Sequence, residues 1–242
     1  MRSLLRQIGL GLRFLWLGLL PGVAPAQQVL LQAEVAADTL PARTGPNRAW
    51  FGHLYGAGAT ALGPAPALGL RYGLPSTEWQ LGGRLKRRLG GAVALTADLR
   101  YGLLRYGLQA DQPRPAPLAP PGATDQSLSY HQVQGEIGLR LNPDRHRGNT
   151  VGQYLDLLAY GGRAVSVGYH YADTPPGGNA RDISERDPPY LARWLGGVGV
   201  RLGYGSVALT GRYRLSDAFR PTGAAPLPEP PRWLVGIELG WF

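Results

Sequence analysis

The chain has 242 residues with 36 Gly, 22 Pro, no Cys and one Met, is 44% hydrophobic, 9% aromatic and 17% charged, and carries a formal charge of +9. The lack of Cys excludes a disulfide scaffold and a thiolate metal site, and the hydrophobic content excludes a wholly disordered chain. After residue 26 no run reaches the roughly 18 consecutive apolar residues of a membrane helix.

The amino terminus reads as an export signal. Arg2, Arg6 and Arg13 lead, Phe14 to Val23 are apolar, and Ala24-Pro25-Ala26 supplies small residues for a signal peptidase, so cleavage is expected before Gln27. Pro21 and Gly22 interrupt the apolar run, which argues against a membrane anchor. Removing the three signal arginines takes the formal charge from +9 to +6. The expected organisation is a signal peptide at 1–26, a periplasmic leader at 27–48 and one all-β domain at 49–242.

Proline marks the elements. It crowds into patches such as Pro64 to Pro75, Pro113 to Pro121, Pro175 to Pro189 and Pro221 to Pro231, with Pro143 standing alone, and is absent between them. Because proline cannot donate to a sheet ladder, the proline-free segments are strand candidates. In chain order they are Trp50 to Leu62, Thr77 to Arg88, Ala92 to Gln109, Ser127 to Leu141, Gly152 to His170, Leu191 to Leu202, Ser206 to Ser216 and Arg232 to Phe242. Most reach the roughly 9–11 residues with which a tilted strand crosses a bilayer.

The strands alternate. In Ser206 to Ser216, Val207, Leu209, Tyr213 and Leu215 oppose Ser206, Thr210, Arg212 and Arg214; in Thr77 to Arg88, Trp79, Leu81 and Leu85 oppose Gln80, Arg84 and Lys86. Trp79, Tyr101, Tyr169, Trp194, Tyr204, Tyr213, Trp233 and Trp241 stand near the ends of the apolar faces, as interfacial girdles do. The polar faces mix Gly with both signs of charge, which suits a narrow filled lumen. The first strand does not separate into faces, and in Gly152 to His170 Arg163 interrupts an apolar face that a β-bulge near Gly161-Gly162 would repair.

Connection lengths alternate too. Gly63 to Ser76, Ala110 to Gln126, Tyr171 to Tyr190 and Asp217 to Pro231 are long, whereas Leu89 to Gly91, Asn142 to Val151 and Gly203 to Gly205 are shorter. This parity predicts an eight-stranded antiparallel up-and-down transmembrane β-barrel in a Gram-negative outer membrane, with four long loops outside. The alternative keeps the strands but turns the apolar faces inward, giving a secreted soluble barrel or sandwich that binds a ligand.

The girdled strands, the segments Tyr154-Leu-Asp-Leu-Leu-Ala-Tyr-Gly-Gly162 and Leu195-Gly-Gly-Val-Gly-Val-Arg-Leu-Gly-Tyr204, and the ending Leu234-Val-Gly-Ile-Glu-Leu-Gly-Trp-Phe242 resemble the small outer-membrane barrel family of the Bacteroidetes lineage, the PorT-like or OmpA-barrel-like group. The resemblance covers about Ala49 to Phe242. It implies outer-membrane lipids and the barrel insertion machinery as partners, with Trp241 or Phe242 as the terminal aromatic that machinery reads, and it raises a secretion or assembly accessory role.

The face assignment sends Arg84, Lys86, Asp98, Arg100, Glu136, Arg140, Asp156, Arg193, Arg201, Arg212, Arg214 and Glu238 into the lumen, eight basic against four acidic. Buried charges need partners, so the expectation is an internal network with trapped water. The basic surplus leaves a low-conductance, anion-preferring porin-like pore as the alternative. His53, His131, His146 and His170 lack ligand spacing, and no nucleophile-elbow or His-Glu-x-x-His motif occurs, so no cofactor, metal or enzyme activity is expected; His53, and His170 with Asp173, Asp182 and Ser184, are the nearest to a catalytic set. The basic run Arg84 to Arg88 is not read as nucleic-acid binding in an exported chain. The Pro-rich stretch 113–121 reads as a stiff surface loop. Sequence thus favours a monomeric envelope protein with a structural or interaction role, meeting an unidentified protein through its outer loops. Edman sequencing of the mature protein should begin at Gln27; a start at Met1 would refute the export signal.

Overall fold

The computed structural model describes residues 43–65, 68–109, 117–118, 123–144, 148–173, 178–179, 181–220 and 227–242. The expected signal peptide, leader residues 27–42 and most of the Pro-rich stretch lie outside them. The compact unit runs from Ala42 to Phe242.

All described regular structure is β. The strands are β1 (Trp50–Leu62), β2 (Leu70–Arg71), β3 (Thr77–Arg88), β4 (Val93–Leu108), β5 (Ala123–Leu141), β6 (Gln153–Asp173), β7 (Arg181–Arg186), β8 (Trp194–Tyr204), β9 (Val207–Arg214) and β10 (Trp233–Trp241). Eight of them pair antiparallel in chain order, β1-β3-β4-β5-β6-β8-β9-β10, and β10 returns to β1 through the register Leu54↔Trp241 to Leu62↔Trp233. The result is a closed eight-stranded up-and-down barrel, which removes the unpaired edge of an open sheet. The two extra strands fall inside long connections: β2 pairs β4, and β7 pairs β6.

The side-chain alternation is inside out relative to a soluble barrel. Trp79, Leu99, Ile137, Trp194, Leu202 and Leu209 are at least 56% exposed on the outer wall, whereas Arg84, Arg140, Asp156, Arg201 and Glu238 are at most 3% exposed inside. β1 resolves into faces as well: Trp50, Leu54 and Leu62 are exposed, and Phe51, Tyr55, Ala59 and Ala61 are buried. Its outward Gly56 and Gly58 lie beneath the Trp241 and Trp79 rings. Small outward residues obscured this face in the sequence.

The irregularity in β6 lies elsewhere than expected. The β5–β6 register slips between His131 and Gln132, which pair with Ser166 and Ala164, so the extra residue is Val165 and not one near Gly161-Gly162. Ahead of the bulge Arg163 faces outward, level with Trp194. Beyond it the parity inverts, so Val167 and Tyr169 turn inward and are 1% exposed. Tyr169 is therefore no girdle residue; its hydroxyl donates to the Leu118 carbonyl at 3.2 Å.

Past the bulge β4, β5 and β6 overrun the other staves, and their inner face meets the long connections. Leu68, Leu104, Tyr106, Leu118, Leu128, Tyr130, Tyr169, Leu191, Phe219 and Leu227 form an apolar cluster there. Leu118, within the Pro-rich stretch expected at the surface, is fully buried in it. At the short-turn end residues 43–48 lie against the mouth: Arg88 donates to the Asn47 carbonyl at 2.9 Å, and Asn47 Nδ2 to the Gly148 carbonyl at 2.6 Å.

Two inward glycines permit this closure. A Cβ on Gly197 would lie 2.0 Å from the Tyr213 carbonyl, and one on Gly236 2.1 Å from the Gly58 carbonyl, while one on outward Gly161 meets nothing within 4 Å. Backbone cannot step aside as a side chain can, so Gly197→Ala and Gly236→Ala should each cost about 3 kcal/mol. Gly161→Ala should be neutral. Urea midpoints of the detergent-folded barrel check both expectations.

Candidate functional site: the charged lumen

Between the apolar cluster and the short-turn mouth the lumen is filled by charge. Arg201 of β8 is its hub. Its Nη1 donates to Asp156 Oδ2 at 2.8 Å and its Nη2 to Glu136 Oε1 at 2.6 Å. Its Nε lies 3.1 Å from Glu238 Oε2, and Asp98 Oδ2 is 3.6 Å from Nη2. Arg84 of β3 holds Glu238 with both terminal nitrogens, at 2.6 and 2.8 Å, and reaches Asp98 Oδ2 through Nε at 2.8 Å. Arg140 of β5 clasps Asp156 from its other side at 2.7 and 2.8 Å. Such two-pronged contacts suit the planar guanidinium.

The register explains the need for a hub. Asp98 and Glu136 are direct cross-strand partners, an arrangement of like charge that destabilises a sheet. Arg201, from the opposite wall, offsets the repulsion by contacting both. Arg140, which shares Asp156 with it, is placed by packing: Tyr154 lies over Gly203, where a Cβ would meet the ring at 2.0 Å, and the Arg140 guanidinium stacks 3.7 Å from that ring. Only glycine at 203 lets the tyrosine lie flat beneath the arginine.

A second tier lies toward the loop end. Arg100 donates to Gln134 Oε1 at 2.7 Å and to Glu136, and Arg212 donates to Glu78. Gln132 Nε2 also donates to Glu78, at 3.0 Å. The Tyr160 ring faces both guanidinium groups, at 5.4 and 5.5 Å. Above this tier Arg214 reaches Glu229 at 3.0 Å and the carbonyls of Ser216 and Pro230. Glu229 also accepts the backbone N–H groups of Ala218 and Phe219, tying the last long connection into the barrel. Lys86, at the short-turn end, donates to the Pro46 carbonyl.

Of the twelve charged residues assigned to the lumen from sequence, eleven are buried. Arg193 is the exception: it precedes β8, its side chain is 34% exposed, and it pairs with Asp187 at 3.3 Å. Strand alternation begins only at Trp194, one residue after it. Glu78 and Glu229 went unassigned. Glu78 shares the parity of Gln80 and Arg84 and was legible by counting back along β3, whereas Glu229 sits in a Pro-rich connection without periodicity. Moving Arg193 out and adding these two carboxylates changes eight against four to seven cations against six acids. Tyr55, Gln80, Arg100 and Arg212 keep polar atoms without a partner among the described residues, places suited to ordered water.

Of the other singled-out residues, the structure brings His170 and Ser184 together. His53 stacks on Phe51 at 5.1 Å, and Phe242 meets both rings edge-on, at 5.5 and 5.7 Å. Trp241 continues the outward face of Ile237 and Leu239. His170 Nδ1 lies 3.1 Å from Ser184 Oγ across β6 and β7, while Asp173 and Asp182 pair in register with Arg181 and Ala172. Among the described residues no group of three or more His, Asp or Glu is placed to hold a metal ion.

No protein-family model and no curated protein matches the chain. Among solved structures it is similar to Ail, the attachment invasion locus protein of Yersinia pestis, in complex with the heparin analogue sucrose octasulfate, at 10% identity and a TM-score of 0.34 over 78% of this chain and 97% of that one. A likeness at that level carries no argument about function.

Replacing Arg201 by Leu would leave four carboxylates facing a hub without charge. Loss of one partner from a buried ionic network costs about 3–5 kcal/mol. Arg201→Leu should therefore lower the urea midpoint sharply, and Arg201→Lys, which keeps the charge without the fork, by less.

Proposed function

We propose that this chain is an outer-membrane β-barrel of the small, OmpA-barrel-like kind, with a structural or interaction role and a lumen that does not conduct. The observation that carries the reading is the inverted alternation of a closed barrel: large apolar side chains cover the outer wall, and the ion pairs are inside. In water that arrangement would expose apolar surface far beyond what soluble monomers carry; in lipid it is the stable one. Trp79, Tyr101, Trp194, Tyr213 and Trp233 toward the long connections, and Trp50, Tyr204 and Trp241 toward the short turns, support two interfacial girdles. Export through the amino-terminal signal belongs to the same reading.

The pore reading loses its support in the charge balance. The basic surplus that suggested an anion path falls to one, each buried cation has a described acceptor, and the apolar cluster fills the long-connection end of the lumen. The overrunning strands β4 to β7 instead support an interaction surface raised beyond the membrane.

Membrane fractionation, with gels of boiled against unboiled detergent-extracted protein, tests the reading. Outer-membrane enrichment and a mobility shift on boiling are expected; a soluble periplasmic protein without the shift would overturn it. Planar bilayer recordings should show no discrete openings, and anion-selective steps abolished by Arg212→Ala would restore the pore.

A further inference from the structure

Tracing the pairing across β4, β5, β6 and β7 brings together a set of residues that lie far apart in the chain. Arg105 pairs with Ser129, Ser129 with Gly168, and Gly168 with Arg186, in one continuous row across four strands. Both arginines are exposed and face outward. Two rows nearer the short turns, Arg163 stands in the row Tyr101-Val133-Arg163-Trp194, level with the aromatic girdle. At about 4.8 Å between strands the two ends of the upper row are about 14 Å apart.

No described residue pairs with any of the three guanidinium groups. The floor between them is low: a Cβ on Gly168 would press on Ser129 Oγ at 2.9 Å, so nothing larger than Ser separates Arg105 from Arg186. His131 lies in the row between, its Nδ1 2.7 Å from the Tyr101 hydroxyl, and His170 in the row above. These four outward rows hold no carboxylate. The nearest acids lie off these rows: Asp187 pairs with Arg193 at 3.3 Å and accepts the Val167 N–H at 3.2 Å, Glu185, beside Arg186 in the chain but in the row of Tyr169, accepts from the Tyr190 hydroxyl at 2.8 Å, and one row further out stand Asp182 and Asp125, the latter paired with Arg71 at 3.5 Å. Exposed unpaired arginines over a floor without acids present an anion with several donors.

We propose that Arg105, Arg163 and Arg186 bind the phosphate groups of a membrane lipid headgroup in the leaflet at the long-connection end. The inference rests on the outer-membrane reading and names a ligand for that wall. A lipid is chosen over a free anion because the patch is set into the apolar wall: Leu103 lies one row below Arg105, and Val133 and Trp194 flank Arg163 in its own row, so acyl chains on the wall bring their phosphates to the arginine rows. Arg163, out of place on an apolar face in the sequence, becomes the lower corner of the site, held outward because the bulge at Val165 comes after it.

The test is native mass spectrometry of the full-length barrel purified in dodecyl maltoside, with diphosphoryl lipid A and its fully dephosphorylated form as probes. The wild type should retain diphosphoryl lipid A, and Arg105→Gln/Arg186→Gln, with Arg163→Gln as a second variant, should weaken that binding at least tenfold and cumulatively. The dephosphorylated lipid should bind all proteins as weakly as the variants bind the phosphorylated one. Equal binding of both lipids, or of wild type and combined variant, would overturn the proposal, as would full displacement by millimolar inorganic phosphate, which would assign the site to a free anion. The outward substitutions leave the lumen intact, so each variant should keep its boiling-dependent shift. A protein without that shift and outside the membrane would overturn the underlying reading, whereas a shifted barrel indifferent to phosphate overturns this inference alone.

Discussion

Seven cationic side chains inside a narrow barrel, each of which must find an acceptor there, constrain this molecule more than any other feature. An unpaired buried charge costs several kcal/mol, so the registers of the seven staves that carry inward charge, all but β1, are tied to one another by the need to bring acids to arginines. Arg201 shows how strict this is. It must lie opposite Asp98 and Glu136, which neighbour each other on β4 and β5, and also beside Asp156 and Glu238, contributed by β6 and β10. A one-residue slip of β8 would turn Arg201 into the apolar outer wall and take one cation away from each of four carboxylates. The network specifies register, and the apolar wall then follows from the period-2 alternation that register imposes.

A second constraint is set by one residue. The bulge at Val165 divides β6 into two halves of opposite parity. The first half belongs to the ion-filled barrel; the second turns Val167 and Tyr169 into the apolar cluster at the long-connection end. Without it Tyr169 would face outward and the cluster would lose the ring that holds Leu118. The bulge marks the level at which the interior changes from charge to hydrocarbon, and that level coincides on the outside with Trp194 and Arg163. Interior filling and exterior surface therefore change along one strand within two residues of each other.

Much of this was legible in the chain. The eight staves, their order, the parity of long and short connections and eleven of twelve lumen charges followed from proline exclusion and alternation, both local consequences of backbone chemistry. The misreadings share a cause. Arg193 lies beyond a strand end, Tyr169 beyond a bulge, and Leu118 in a Pro-rich stretch that offers no period to read. In each case a local rule ran into a point where packing against distant residues decided the outcome. Glu229 belongs with them: it reaches Arg214 only because a connection without periodicity folds back over the mouth.

By itself, then, the sequence determined the strand class, the inward and outward sets and the presence of a buried charged network, because alternation along a strand needs no knowledge of its neighbours. It did not determine which acid meets which base, where β6 changes parity, or which connections pack against the barrel interior. Those were decided by the tertiary structure, because closing β10 onto β1 fixes one common register for eight strands, and only a common register brings side chains from opposite walls within hydrogen-bonding distance.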